Sequence, residues 1–254
     1  MLNFVLRMSS LQGQQEWFES WFDSPYYHIL YADRDIQEAR VFLDNLLGFL
    51  EPSPSARMLD VACGRGRHAR YLHSKGFDVT AYDLSEASIK YDRQFETSGL
   101  AFFRHDMRET FRSGYFDYVF NLFSSFGYFR TDKENEQVID SHATALKPGG
   151  MLVVDYLNAN CIARGMKENE TRKAGDITFH ISKRIVGNDV YKTIRFDDGG
   201  REFHFSEKLR LFRLEDFEKM FAAHRLTLRH TFGNYRLEPF ATGSERLIMI
   251  AERI

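Results

Sequence analysis

The stretch that decides the fold is Met58-Leu59-Asp60-Val61-Ala62-Cys63-Gly64-Arg65-Gly66-Arg67-His68. Its apolar opening predicts a strand over Arg57–Ala62, and the residues beyond Gly66 predict a helix over Arg67–Ser74. Gly64 and Gly66 lack a Cβ and tolerate positive φ, so the main chain between strand and helix can pass close to a ligand. The free amides at the helix start then point at an anionic group. Gly64-x-Gly66-x-x-Ala69 also satisfies the dinucleotide fingerprint, with Asp83 about 20 residues downstream as that pattern expects. A nicotinamide cofactor is therefore one reading of the loop, and a tight turn that binds nothing is another.

Outward from this loop, strands and helices alternate. Phe77–Tyr82, Ala101–His105, Phe116–Asn121 and Met151–Tyr156 read as strands, and Ser85–Glu96 and Thr131–Leu146 as helices. That rhythm builds an α/β fold, doubly wound around a mostly parallel sheet covered on both faces. Thr131 and Glu134 have capping-box spacing, and Lys147-Pro148-Gly149-Gly150 reads as a helix stop and turn. Upstream, residues 11–50 look helical, with Trp17, Phe18, Trp21 and Phe22 marking one apolar face. Asp35 and Glu38 suggest the capped start of a second helix through Val41, Phe42, Leu46 and Leu50. The aromatic segment Tyr26-Tyr27-His28-Ile29-Leu30-Tyr31 lies between the two. Glu51-Pro52-Ser53-Pro54-Ser55 ends the helical region, because proline fixes φ and has no amide to donate.

Downstream of Tyr156 the period changes to two. Ile177, Phe179 and Ile181, then Val190, Lys192, Ile194 and Phe196, then Phe203 and Phe205 alternate, punctuated by Gly187-Asn188 and Asp197-Asp198-Gly199-Gly200. This predicts an antiparallel meander. A short helix over Leu214–His224 and strands at Leu226–Phe232 and Arg246–Glu252 close the chain as a hairpin added to the main sheet. The expected organisation is a helical cap over 1–54, an α/β core over 55–157, a β insertion over 158–212, and a C-terminal helix and hairpin over 213–254 that completes the core sheet.

Composition narrows the partners. In 254 residues, Lys+Arg number 34 and Asp+Glu 36, for a net charge of -2. Such a balance supplies no attraction to a phosphate backbone or an anionic membrane surface. The two cysteines, Cys63 and Cys161, stand far apart without metal-ligand spacing, so neither a disulfide framework nor a metal site is expected. Met1–Leu6 is interrupted by Arg7 and is too short for a signal peptide's apolar stretch, Met8 is an alternative start, and no later run approaches a membrane span. A soluble protein in a reducing cytoplasm is the expectation.

Two further strand ends carry acids. Asp83, in Ala81-Tyr82-Asp83-Leu84-Ser85, can accept both hydroxyls of a ribose, while Ser85 supplies the next helix's cap. Asp106, in His105-Asp106-Met107-Arg108, can accept from an adenine amino group with Met107 flanking the ring, or can simply pair with Arg104 or Arg108. The fourth end reads Phe116-Asp117-Tyr118-Val119-Phe120-Asn121-Leu122-Phe123-Ser124-Ser125-Phe126-Gly127-Tyr128-Phe129.

Taken with Leu146-Lys147-Pro148-Gly149-Gly150, these segments resemble the class I S-adenosylmethionine-dependent methyltransferases. The similarity is greatest to their small-molecule branch, which includes N-methyltransferases of amino-sugars and amino acids. It covers about residues 55–156, with Gly233-Asn234-Tyr235 and the last helix and hairpin also in keeping. Ala62 departs from the commonest loop, which has glycine there.

The resemblance implies a seven-stranded Rossmann-like sheet and S-adenosyl-L-methionine as cofactor. It assigns Asp60, Ala62, Gly64 and Gly66 to the methionine part of the cofactor, Asp83 to the ribose, Leu84, Asp106 and Met107 to the adenine, and Asn121 and Phe123 to the neighbourhood of the sulfonium. Family members acting on nucleobase amines carry an Asn/Asp-Pro-Pro-aromatic tetrapeptide where this chain has Asn121-Leu122-Phe123-Ser124. That difference and the net charge argue against a nucleic-acid target.

Tyr27 and Tyr31 are candidates to cap the cofactor through ring faces or hydroxyls, or else to pack as core between the first helices. The meander would form a lid over the acceptor pocket, with Lys183, Arg184, Arg195, Arg201 and His204 either meeting an acidic acceptor or forming a solvated face. Methyl transfer to an N or O atom of a small molecule needs chiefly proximity and orientation. A hydroxyl acceptor would add a base, for which His28, Tyr31, Tyr128 and His204 are the candidates. The competing readings are an NAD-dependent oxidoreductase and a non-catalytic S-adenosylmethionine-binding protein.

Overall fold

The computed structural model describes residues 16–32 and 36–254. The capped start expected at Asp35, the run Met1–Leu6 and Met8 lie outside them. The N-terminal region forms three helices, α1 (Trp17–Phe22), α2 (Pro25–Leu30) and α3 (Ile36–Leu50). Ser24 caps α2 by accepting the Tyr26 amide, and Pro25 follows at the position where a missing amide costs nothing. The aromatic segment expected between two helices is thus a helix itself.

The core then runs β1 (Arg57–Val61), α4 (Arg67–Ser74), β2 (Asp78–Asp83), α5 (Glu86–Asp92), β3 (Leu100–Arg104), β4 (Phe116–Asn121), α6 (Asp132–Ala145) and β5 (Leu146–Leu157). The Thr131–Glu134 capping box opens α6. Lys147-Pro148-Gly149-Gly150 is not a free turn, because the chain passes directly from α6 into β5, and the pairing with β4 shifts register between Phe116 and Tyr118. The insertion carries α7 (Ala159–Gly165) and four strands rather than three, β6 (Asn169–Ala174), β7 (Ile177–Val186), β8 (Asp189–Asp198) and β9 (Arg201–Arg210). The additional strand, Asn-Glu-Thr-Arg-Lys-Ala, has no apolar alternation to announce it. α8 (Leu214–Ala223), β10 (Leu226–Phe232) and β11 (Arg246–Arg253) complete the chain.

The main sheet has the order β10-β11-β5-β4-β1-β2-β3. β1 to β5 are parallel, and β11 alone runs against its neighbours β5 and β10. Parallel strands buried on both faces serve two cores. Leu59, Val61, Val119 and Leu152 face Val138 and Ile139 of α6 and Phe217 and Phe221 of α8. Their alternates Met58, Val79, Phe120 and Val153 face Phe42, Leu43 and Leu46 of α3, with Leu72 and Ile89. The second sheet, β6-β7-β8-β9, presses Phe179, Ile181, Ile194 and Phe196 onto Trp21 and Leu30. Among the described residues no helix is long and apolar enough to cross a membrane.

Candidate active site

The carboxyl ends of β1, β2 and β4 open onto one cleft. After β1 the chain turns through three left-handed residues, Ala62 at φ 52°, Gly64 at 56° and Gly66 at 61°. Alanine at 62 is therefore more strained than the sequence alone suggests, since a Cβ disfavours that region. Gly66 is required for packing, because a Cβ there would stand 2.7 Å from the Phe102 ring and 3.1 Å from the Asp92 carboxyl carbon. Asp83 braces the loop: Gly64 donates its amide to Oδ2 at 2.8 Å, and Ser85 donates to Oδ1 at 2.8 Å. Burial raises the pKa of Asp83, opposed by those amides.

Two connected cavities share Phe22, Ala62, Asp83 and Tyr128. The first is an apolar slot of about 60 Å³ lined by Leu84, Met107, Phe18, Phe22 and Phe129, with Asp83 and Asp106 both on its wall. The acids at the ends of β2 and after β3 thus stand on one cavity. The second, of about 370 Å³, runs past Gly64, Arg65, Arg67 and His68 to Tyr27, His28, Tyr31, Phe123 and Ser125. Its size suits a small ligand.

Several of the expected residues stand away from the cavity walls or have partners of their own. Asn121 is fully buried, and its amide nitrogen lies 3.1 Å from His142 Nε2, so its side chain lines neither cavity. Asp60 lies beneath the loop, where its carboxylate accepts the Ala69 amide at 3.1 Å, and burial pushes its pKa up to about 7. Gly66 likewise faces the core. Asp106 reaches the slot, but Arg108 donates to it from Nε, Nη2 and its main-chain amide, so the pairing alternative also holds. Burial opposes ionisation of Asp106, yet those bonds outweigh it and keep the acid below its usual range. In the insertion, Arg184, Arg195, Arg201 and His204 are exposed, and Lys183 pairs with Glu170 at 3.2 Å, none of them on the cavity walls.

The insertion instead reaches the cleft through one inward lysine. Lys192 Nζ donates to the Tyr31 hydroxyl and pairs with Glu207 at 3.2 Å, while Trp21 Nε1 donates to Glu207 at 2.6 Å. Its place in the register of Ile194 and Phe196 was the visible signal, since a lysine on an apolar face needs a partner. Arg67 and His68 were also missed as wall residues: the His68 ring stacks on Phe123 at 4.8 Å, and Arg67 stands 4.2 Å from that ring. Both sit within the loop sequence, but only folding brings Phe123 to them.

Residues 58–150 match the model of a methyltransferase domain. The methyltransferase-named protein YqeM of Bacillus subtilis is 31% identical over 212 residues, 78% of this chain and 84% of that one. The chain belongs to the S-adenosylmethionine-dependent methyltransferases.

The methyltransferase is also 30% identical over 188 residues to the dTDP-3-amino-3,4,6-trideoxy-alpha-D-glucopyranose N,N-dimethyltransferase of Streptomyces venezuelae, covering 70% of this chain and 78% of that one. A crystal structure of an S-adenosylmethionine-dependent methyltransferase from Clostridium acetobutylicum superposes with a TM-score of 0.76 at 19% identity, over 90% of this chain and 96% of that one. This agreement is one of fold. The cofactor of the family is the methyl donor S-adenosylmethionine, and nothing in these relatives supports the nicotinamide reading of the glycine loop.

Proposed function

We propose that this methyltransferase transfers a methyl group to the amino nitrogen of a small molecule, with amino-sugars as the leading acceptor class. The observation that carries the proposal is the joining of an apolar slot, with acids at its wall, to a polar chamber of about 370 Å³ across the loop at 62–66. The slot's apolar walls and Asp106 fit an adenine, Asp83 at the junction fits a ribose, and the left-handed loop leaves room for an amino-acid tail. Bound there, S-adenosylmethionine supplies an electrophilic methyl on a sulfonium. Leu84, Met107, Phe22 and Tyr128 would hold the flat ring, and Ala62 and Gly64 the tail.

The chain's own contribution to the reaction is placement. Tyr27, His28, Tyr31, Phe123 and Tyr128 surround the chamber and would orient the acceptor nitrogen while excluding water. An amine arriving neutral needs no base to attack; Tyr31, backed by Lys192 and Glu207, can accept a hydrogen bond from it. The names of relatives acting on aminated sugars support nitrogen over oxygen. The net charge of -2 and the lack of paired prolines after Asn121 support a target other than nucleic acid. Two free cysteines fit work in the cytoplasm.

The test is turnover with S-adenosylmethionine and matched pairs of amino and hydroxy acceptors: nucleotide-linked sugars, free sugars and amino acids. Mass spectrometry should find methylated amines together with demethylated cofactor. Methylation confined to the hydroxy partner of each pair would refute the nitrogen assignment, and tight cofactor binding without turnover of any pair would favour a non-catalytic binder.

A further inference from the structure

At the end of β4 two consecutive residues that are not glycine lie in the left-handed region, Phe123 at φ 55° and Ser124 at φ 63°. A residue with a Cβ stays there only when its surroundings impose it, and such positions gather where a site must be shaped. Here the imposing group is Asp155 of β5, which has no solvent exposure. Its Oδ2 accepts the Phe123 amide at 2.9 Å and the Tyr235 hydroxyl at 3.1 Å. Its Oδ1 accepts Arg246 Nε at 2.9 Å and Nη2 at 2.7 Å, and its main-chain carbonyl accepts the Ser124 amide at 2.9 Å. Arg246 Nη2 also donates to Ser124 Oγ at 2.9 Å. Burial, with the charge of Asp155 beside it, pushes the Tyr235 phenol far above its ordinary range, which keeps it a donor.

One buried carboxylate therefore ties together the β4 turn, β5, the loop after β10 and β11. The turn it holds forms a cleft wall: Phe123 and Ser125 line the chamber, and the Phe123 ring meets His68 at 4.8 Å and Tyr235 at 5.2 Å. An acid placed only to join strands would not need to bond the amide of a strained residue at the mouth of the site.

We propose that Asp155 is a positioning residue for methyl transfer, which pins the Phe123–Ser124 turn and thereby sets the cleft wall next to the transferred methyl. Tyr235 and Arg246 bring the C-terminal hairpin into that task. The inference rests on the reading of this cleft as the methyl-transfer site.

The test compares affinities for S-adenosylmethionine and S-adenosylhomocysteine by calorimetry. The adenosyl part is common to both ligands, so their ratio reports on the surroundings of the methyl group and does not change when a fraction of the protein is unfolded. Asp155→Asn is expected to shift the ratio about 5-fold or more while changing S-adenosylhomocysteine affinity less than about 3-fold, in keeping with the sensitivity of such sites to small displacements. Adding Ser124→Gly should restore at least half of the shift, because glycine adopts the left-handed turn without a brace. Tyr235→Phe, which deletes one donor, should move the ratio in the same direction by about 2-fold and serves if Asp155→Asn does not fold. An unchanged ratio in both Asp155→Asn and Tyr235→Phe, or in Tyr235→Phe alone if the other does not fold, overturns the proposal. So does a shift in Asp155→Asn that Ser124→Gly leaves untouched. If Asp83→Ala leaves both affinities intact, the reading of the cleft fails, and the positioning role with it.

Discussion

The two flanks of the cleft are assembled from contacts of very different reach. On the β1–β3 flank, the carboxylates of Asp60, Asp83 and Asp106 accept main-chain amides from residues 2 to 19 positions away. On the β4–β5 flank, Asp155 joins partners 32, 80 and 91 positions away, and Tyr31 bonds Lys192 and Glu207 across 161 and 176. The first flank is a loop that carries its own braces. The second exists only once the terminal hairpin and the insertion have docked. A site of this kind can keep its donor half while the acceptor half varies, because the two halves share few supports.

That contrast can be broken by experiment. The largest effect is expected at Asp83, where Asp83→Ala removes both the loop brace and a partner for the ribose. Cofactor affinity should fall about 100-fold, read by calorimetry, since each lost bond to a charged group is worth about 1.5–3 kcal/mol. Retained affinity would mean that this flank is not the donor half. Gly66→Ala comes next. A Cβ at φ 61° and 2.7 Å from Phe102 should cost about 2–3 kcal/mol of stability in chemical denaturation, and a neutral result would show that the loop relaxes freely.

Lys192→Met tests whether the flanks are independent. Acceptor kcat/KM should fall about 10-fold, with cofactor affinity within about 2-fold of the parent, because the lysine bonds the chamber residue Tyr31 and does not itself line the chamber. Equal losses in both would mean that the insertion supports the donor half as well.

The smallest effect concerns Asp92, a buried carboxyl behind the loop with no hydrogen-bond partner among the described residues. Burial, with Asp60 and Asp83 nearby and despite Arg70 and Arg65, pushes its pKa from 3.8 to about 8. The folded state therefore holds a proton that the unfolded chain releases between pH 3.8 and about 8, and stability falls as pH rises through that window. Asp92→Asn should flatten this slope by about 1 kcal/mol between pH 5 and pH 6, while Asp60, raised in the same sense, preserves part of it. An unchanged slope would show that Asp92 titrates as an ordinary acid.

What the sequence determined by itself was everything that depends on period and short reach. The alternation of strands and helices dictates a doubly wound sheet, the glycines at 64 and 66 dictate a left-handed loop after the first strand, and Asp83 and Asp106 stand at strand ends because the strands end there. Tertiary structure decided which side chains became cleft and which became core. Asn121 turned inward to His142 and Gly66 served the Phe102 contact, while Lys192 and Asp155 acquired their places by bonding residues up to 161 positions away. The physical reason is that a strand's period constrains which face a residue takes, whereas the partner that claims a polar side chain is chosen by packing between segments that the period does not relate.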